Sequence, residues 1–159
     1  MSQQPERNRS AEWSTWAGAA LAAVAAAAAI LIPAGGQNRV VGVAAPMAVG
    51  AAALVANVLT MRSIAWIGAL LYAAASLALL YGMILAVSVP VRLSVSGTCP
   101  QSTVSCPLGF ERPLTSAENA AIYVAVTLGV IALVLTFIAV ETRYLRKPRP
   151  LRYRDAPPR

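Results

Sequence analysis

Four long apolar segments constrain the fold of this chain more than any other feature. They span residues 14–33, 40–60, 63–89 and 118–141, and none has an Asp, Glu, Lys or Arg away from its ends. Each reaches the length of about 20 residues with which a helix crosses about 30 Å of hydrocarbon. Because lipid cannot hydrogen-bond the backbone, such segments are predicted to be helices. The expected fold is an all-α, up-down-up-down bundle of four transmembrane helices.

The composition supports a membrane protein. Hydrophobic residues make up 58% of the chain and charged residues only 12%, whereas soluble domains have about 45–50% and about 25%. A chain of 159 residues is too short to bury this much apolar surface in water. We therefore predict one transmembrane domain, 14–141, between a cytoplasmic segment 1–13 and a basic tail 142–159. The first segment also has an alternative interpretation as a signal peptide, whose cleavage would leave three helices.

The distribution of positive charge predicts the orientation. If both termini are cytoplasmic, ten of the 13 Lys and Arg residues lie inside, and only Arg39, Arg92 and Arg112 lie outside. This matches the excess of basic residues that cytoplasmic loops carry. We expect a multi-pass protein of the plasma (inner) membrane with both termini in the cytoplasm. The excess of arginine over lysine and the abundant alanine are typical of GC-rich bacteria.

The two cysteines, Cys99 and Cys106, lie in the predicted outer loop, 90–117. Disulfides persist in oxidising compartments, so this orientation predicts a disulfide that closes the loop. An extracytoplasmic thiol–disulfide oxidoreductase that uses this single pair is an alternative, although the chain has no C-x-x-C motif. A metal site is disfavoured, because structural zinc takes four ligands and two thiols do not supply them. Upstream of the pair, the alternation in "VRLSV" (91–95) predicts a short strand.

Missing residue types exclude several functions. The chain has no histidine, which excludes bis-His haem ligation and His-dependent catalysis. No charged residue lies deep in an apolar segment, whereas ion-coupled transporters normally keep one there. A small oligomeric transporter therefore stays only as an alternative, and no cofactor is expected.

Small residues repeat along three of the predicted helices, and such stripes let helix backbones approach closely. They are Gly18, Ala22, Ala25 and Ala29; Gly42, Ala45, Val49, Ala52 and Ala56; and Gly68, Ala75 and Gly82. We predict that they pack the bundle, with a groove for a partner as the alternative.

Polar residues within the helices are predicted to form interhelical hydrogen bonds. They are Asn57, Ser76, Thr127 and Thr136. Before the fourth helix, Thr115 and Glu118 have the spacing of a capping box.

The tail carries a cluster of basic residues with several prolines and no core-forming pattern, so it is predicted to be disordered. Its candidate binding residues are Arg143, Arg146, Lys147, Arg149, Arg152 and Arg154. We expect them to bind anionic lipid headgroups or a cytoplasmic partner. Nucleic acid is not an expected partner, because the chain offers no folded basic face.

These features together favour a small non-catalytic accessory or scaffold subunit. Its expected partners are membrane lipids and other membrane proteins, or a second copy of the chain. The small-residue helix faces and the outer loop are the predicted contact surfaces.

Overall fold

The described part of the chain consists of four long helices. In the computed structural model, residues 3–33, 39–60, 65–99 and 111–145 are described, with side chains from residue 9 onward. The helices are α1 (Gln3–Leu31), α2 (Val41–Thr60), α3 (Ala65–Ser96) and α4 (Ser116–Val140), and a π-helical turn at Glu141–Leu145 continues α4. All four are long and apolar enough to cross a membrane, and the described ranges contain no β-strand. The predicted all-α fold with four membrane-length helices is confirmed.

The helices form a ring in which α1 and α3 each pack against α2 and α4. One end, called the terminal end, is defined by two contacts. Thr15 of α1 contacts Tyr72 in the first part of α3, and the end of α2 contacts the π-helical turn. At the opposite end, called the loop end, Arg39 before α2 bonds Glu111 and Arg112 before α4. Successive helices are therefore antiparallel.

The interior follows one repeating pattern. Along each helix, buried residues are separated by alternating steps of four and three, the spacing of left-handed helix bundles. These residues are Thr15, Gly18, Ala22, Ala25 and Ala29 on α1; Val43, Met47, Gly50, Leu54 and Asn57 on α2; Gly68, Tyr72, Ala75, Leu79, Gly82 and Ala86 on α3; and Ile122, Ala125, Gly129, Ala132, Thr136 and Ala139 on α4.

Large and small side chains alternate across the centre of the bundle. The Met47 side chain lies 3.1 Å from the position that a Cβ atom would take on Gly82, and also 3.1 Å from that position on Gly129. Leu79 approaches the same position on Gly50 to 3.0 Å. A methyl group at any of these glycines would require the neighbouring Met or Leu side chain to shift. Close approach of this kind is what holds helices together in lipid.

Both α1 and α3 extend beyond the predicted segments. α1 begins at Gln3 rather than residue 14, because hydropathy identifies only the apolar part of a helix and not its polar first turns. α3 continues to Ser96, so the strand predicted at 91–95 is wrong. Leu93 is buried one heptad after Ala86, and this contact extends the helix through the alternating sequence.

The segment between α3 and α4 is correspondingly shorter than the predicted outer loop. α3 is followed by Gly97, whose positive φ of 79° suits a residue directly after a helix C-terminus. Residues Cys99 and Glu111 are joined by a backbone hydrogen bond of 3.0 Å, so the two ends of the intervening residues meet. The capping box before α4 is confirmed: Thr115 accepts from the Glu118 backbone, and the Glu118 carboxylate accepts from the Thr115 backbone.

Candidate functional site

A cluster of polar and aromatic side chains, called the terminal cluster, joins the helices at the terminal end. It comprises Thr15 of α1, Asn57 of α2, Tyr72 of α3, and Arg143 and Tyr144 of the π-helical turn. The hydroxyl groups of Thr15 and Tyr72 lie 2.7 Å apart, and the Thr15 hydroxyl is also 2.7 Å from the Ala11 carbonyl, to which it donates. Both side chains are buried, and their contact links α1 to α3, which are not neighbours in the ring.

Asn57 connects α2 to α3 and to the π-helical turn. It is fully buried, and its side-chain nitrogen donates to the Gly68 carbonyl at 3.1 Å. Its side-chain oxygen accepts from the Arg143 guanidinium at 3.5 Å. A Cβ on Gly68 would lie only 2.8 Å from the Tyr144 hydroxyl, so glycine at this position admits both partners.

The π-helical turn brings the first part of the predicted tail onto the bundle. The Thr142 hydroxyl donates to the Ile138 carbonyl, and Tyr144 donates to the Ala65 carbonyl at 3.1 Å. The Tyr144 ring packs edge-on against Tyr72, with 6.3 Å between centroids. The disorder predicted from residue 142 is therefore wrong for residues 142–145. The Thr142 side chain has a partner near the end of α4, and the Tyr144 side chain has one at the start of α3.

A second polar group, called the loop cluster, lies at the opposite end. Arg39 forms a 2.8 Å ion pair with Glu111 and donates to the Arg112 carbonyl. Arg112 in turn pairs with Glu118 at 2.8 Å, and Glu118 also accepts from Thr115. This chain of contacts fixes the start of α2 against the residues that precede α4.

The buried polar side chains of both clusters have hydrogen-bond partners. Among the described residues, no buried side-chain nitrogen or oxygen lacks a partner. The same residues contain no group of three or more His, Cys, Asp and Glu side chains that could hold a metal ion. Contacts of both clusters join residues of different helices or of the segments that precede them.

The other predicted polar residues differ from Asn57 in their contacts. The Ser76 hydroxyl donates to the Tyr72 carbonyl, and the Thr136 hydroxyl donates to the Ala132 carbonyl. Both bonds lie within one helix rather than between helices, because a Ser or Thr hydroxyl reaches the carbonyl four residues earlier. Thr127 is exposed on α4.

The predicted disulfide and tail are only partly covered by the described residues. Cys99 is buried after α3, and Cys106 lies outside the described ranges. Arg143 is partly buried beside Tyr144, 5.3 Å from its ring centroid. The remaining basic tail residues also lie outside the described ranges: Arg146, Lys147, Arg149, Arg152 and Arg154.

The small-residue stripes divide into two classes. Those of α1 and α3 are buried, whereas the residues of the α2 stripe are exposed or half-buried, so its predicted packing within the chain is wrong. α2 instead buries the side that carries Met47 and Leu54, because these larger side chains fill the space left by glycine and alanine on its neighbours. We call the residues Ala45, Val49, Ala52 and Ala56 the α2 face; the first three are exposed and Ala56 is half-buried.

Sequence reasoning missed Thr15 and Tyr72. Both were detectable, since Thr15 lies three residues before Gly18 and Tyr72 lies three residues before Ala75, on the same stripes. The Arg39–Glu111 contact had no comparable signal, because it joins residues far apart in the chain.

Comparison with known proteins finds no matching family model, no matching curated protein and no matching solved structure.

Proposed function

We propose that the protein is a non-catalytic accessory subunit that binds a transmembrane helix of another membrane protein through the α2 face. The observation that carries this proposal is the small size of the side chains on this outward surface. Ala45, Val49 and Ala52 are exposed, so no other part of the described chain covers them. In lipid, small side chains allow the close backbone contact by which helices associate.

The outward surfaces of α3 and α4 carry larger side chains. Leu77 and Ile84 of α3 are 68% and 63% exposed, and Phe137 of α4 is 62% exposed. Lipid tails are as apolar as these side chains, so a bulky surface gains little from a protein neighbour. The contrast favours α2 over α3 and α4 as the surface that a partner helix contacts.

The interior supports a packing role rather than a catalytic one. The terminal cluster uses its hydroxyl, amide and guanidinium groups on one another, as in the Thr15–Tyr72 and Asn57–Arg143 contacts. Polar side chains that already have partners rigidify a bundle and fix the relative positions of its helices. A rigid bundle with a small-residue surface is well suited to hold another helix in place.

We further propose that the protein lies in a bacterial plasma membrane with both termini in the cytoplasm. The excess of basic residues at the chain ends supports this orientation, as does the position of Arg143 at the terminal end. The loop end then faces outward, where a disulfide between Cys99 and Cys106 would close the outer loop. The basic tail would contact anionic lipid headgroups on the cytoplasmic side.

The test is photo-crosslinking in cells that express the full chain. A photoreactive amino acid replaces Val49 on the α2 face or, as a control, Leu77 on the outward side of α3. We expect one membrane protein to be cross-linked from Val49 and not from Leu77. Ala52→Leu should lower that yield about ten-fold, as overpacking of a close contact does, whereas Ala73→Leu on α3 should leave it unchanged.

Three outcomes would contradict the proposal. Cross-links from Val49 to lipid alone would make α2 a lipid-facing helix. Cross-links only to a second copy of the chain would indicate self-association instead of an accessory role. Equal yields in Ala52→Leu and the original chain would show that the α2 face does not form the contact.

A further inference from the structure

A cleft at the loop end lies between the first turn of α2 and the last turns of α3. Its volume is about 230 Å³. Arg39, Arg92 and Glu111 line its polar part, and Val43 and Val89 are among the residues that line its apolar part. The cleft thus combines a charged region with an apolar one, as a site for an amphiphilic molecule requires.

The charges of the cleft favour an anion. Two guanidinium groups face one carboxylate, and the Arg39 guanidinium already pairs with Glu111 at 2.8 Å. Arg92 is exposed, and its side chain has no ion pair or hydrogen bond with any residue in the described ranges. Its guanidinium is therefore available to a phosphate group, for which arginine provides paired donors.

The position of the cleft matches the edge of a membrane. α2 has 20 residues, which gives a length of about 30 Å, equal to the thickness of the hydrocarbon layer. α3 has 32 residues and a length of about 48 Å. The start of α3 lies at the same level as the end of α2, because Gly68 and Asn57 are hydrogen-bonded there. The last turns of the longer α3 therefore project beyond the start of α2. Arg92 then lies at the level of the lipid headgroups.

Gly42 provides the opening between the two helices. It lines the cleft, and a Cβ atom built on it would meet no other atom within 4 Å. A side chain at this position would therefore enter the cleft without disturbing the bundle. The same open space admits the part of an acyl chain nearest the headgroup, beside Val43 and Val89.

We propose that this cleft binds an anionic phospholipid, with its phosphate group on Arg92 and the start of one acyl chain beside Gly42. The net positive charge of the cleft favours a lipid whose headgroup is anionic over one whose headgroup is zwitterionic. This site is separate from Arg143, which lies at the terminal end. None of the residues that line the cleft belongs to the α2 face.

The test measures lipid retention by native mass spectrometry of the full chain in mild detergent. The probes are phosphatidylglycerol, phosphatidylcholine and, separately, inorganic phosphate. We expect phosphatidylglycerol to be retained in preference to phosphatidylcholine. Arg92→Gln should weaken that retention about ten-fold, the effect of losing one charge-assisted hydrogen bond, and Arg92→Lys should preserve most of it.

A second variant tests the cleft itself. Gly42→Leu should fill the cleft and lower retention as Arg92→Gln does, whereas Ala120→Leu, on an exposed part of α4 at the same end, should not. Equal retention of the two lipids, or unchanged retention in Arg92→Gln, would overturn the proposal. Full displacement of lipid by inorganic phosphate would show that the site takes a soluble anion instead.

Discussion

The buried contact between Thr15 and Tyr72 predicts an energetic coupling between α1 and α3. Thr15→Val keeps the shape of the side chain but removes its hydroxyl, so the Tyr72 hydroxyl loses a partner at 2.7 Å. A buried polar group that loses its partner costs about 1–3 kcal/mol. Tyr72→Phe should cost less, about 0.5–1.5 kcal/mol, because the Thr15 hydroxyl keeps its bond to the Ala11 carbonyl.

The double variant should be more stable than the two single effects predict. Coupling energies between polar side chains of membrane helices average about 0.6 kcal/mol and reach about 1.7 kcal/mol. The short distance and full burial of Thr15 favour the upper half of this range. The two single costs should therefore exceed the double cost by about 1 kcal/mol.

The assay is reversible unfolding in mixed micelles, followed by circular dichroism, for the original chain, both single variants and the double variant. Thr127→Val is the matched control, because Thr127 is exposed and its substitution should change the unfolding free energy little. A coupling below about 0.3 kcal/mol, the level at which independent sites add, would refute the argument that this contact holds α1 to α3.

Further predictions concern the core, the tail and the outer loop. Gly129→Ala should lower the unfolding free energy by about 1 kcal/mol, because overpacking against two methionines outweighs the gain in helix propensity. Gly18→Ala should cost less in the same unfolding assay, because its nearest contact is at 3.4 Å. Deletion of 146–159 should leave the unfolding free energy unchanged, whereas deletion of 141–159 should lower it by removing the π-helical turn; equal losses would contradict this division. A redox titration of the predicted disulfide should give a midpoint potential below about −300 mV, which is typical of structural disulfides. A midpoint near about −200 mV with rapid thiol exchange, as in exchange catalysts, would favour the oxidoreductase.

Much of the fold was predictable because its signals are local. A span is predicted by the summed hydropathy of its own residues, and the capping box needs only Thr115 and Glu118. The extension of α3 was missed because the alternation over 91–95 is too short to distinguish a strand from a helix. Its helical state depends on the burial of Leu93 against the bundle, which is a tertiary contact.

The candidate sites were less predictable. The stripes of α1 and α3 indicated the buried side correctly, but α2 has small residues on both its inner and outer sides. Only the fit of Met47 between Gly82 and Gly129 decides which side faces inward. The cleft likewise depends on the axial offset between α2 and α3, which no local pattern specifies.

The sequence by itself determined how many helices there are and where their apolar parts lie, because the free energy of transfer to lipid is a sum over neighbouring residues. The tertiary structure alone decided how each helix is rotated and which distant residues meet, as in the Thr15–Tyr72 and Arg39–Glu111 contacts. In lipid, an apolar side chain is as well solvated outside the bundle as inside it. Helix rotation therefore depends on side-chain fit and polar pairing between helices, and these are properties of pairs that the linear order does not contain.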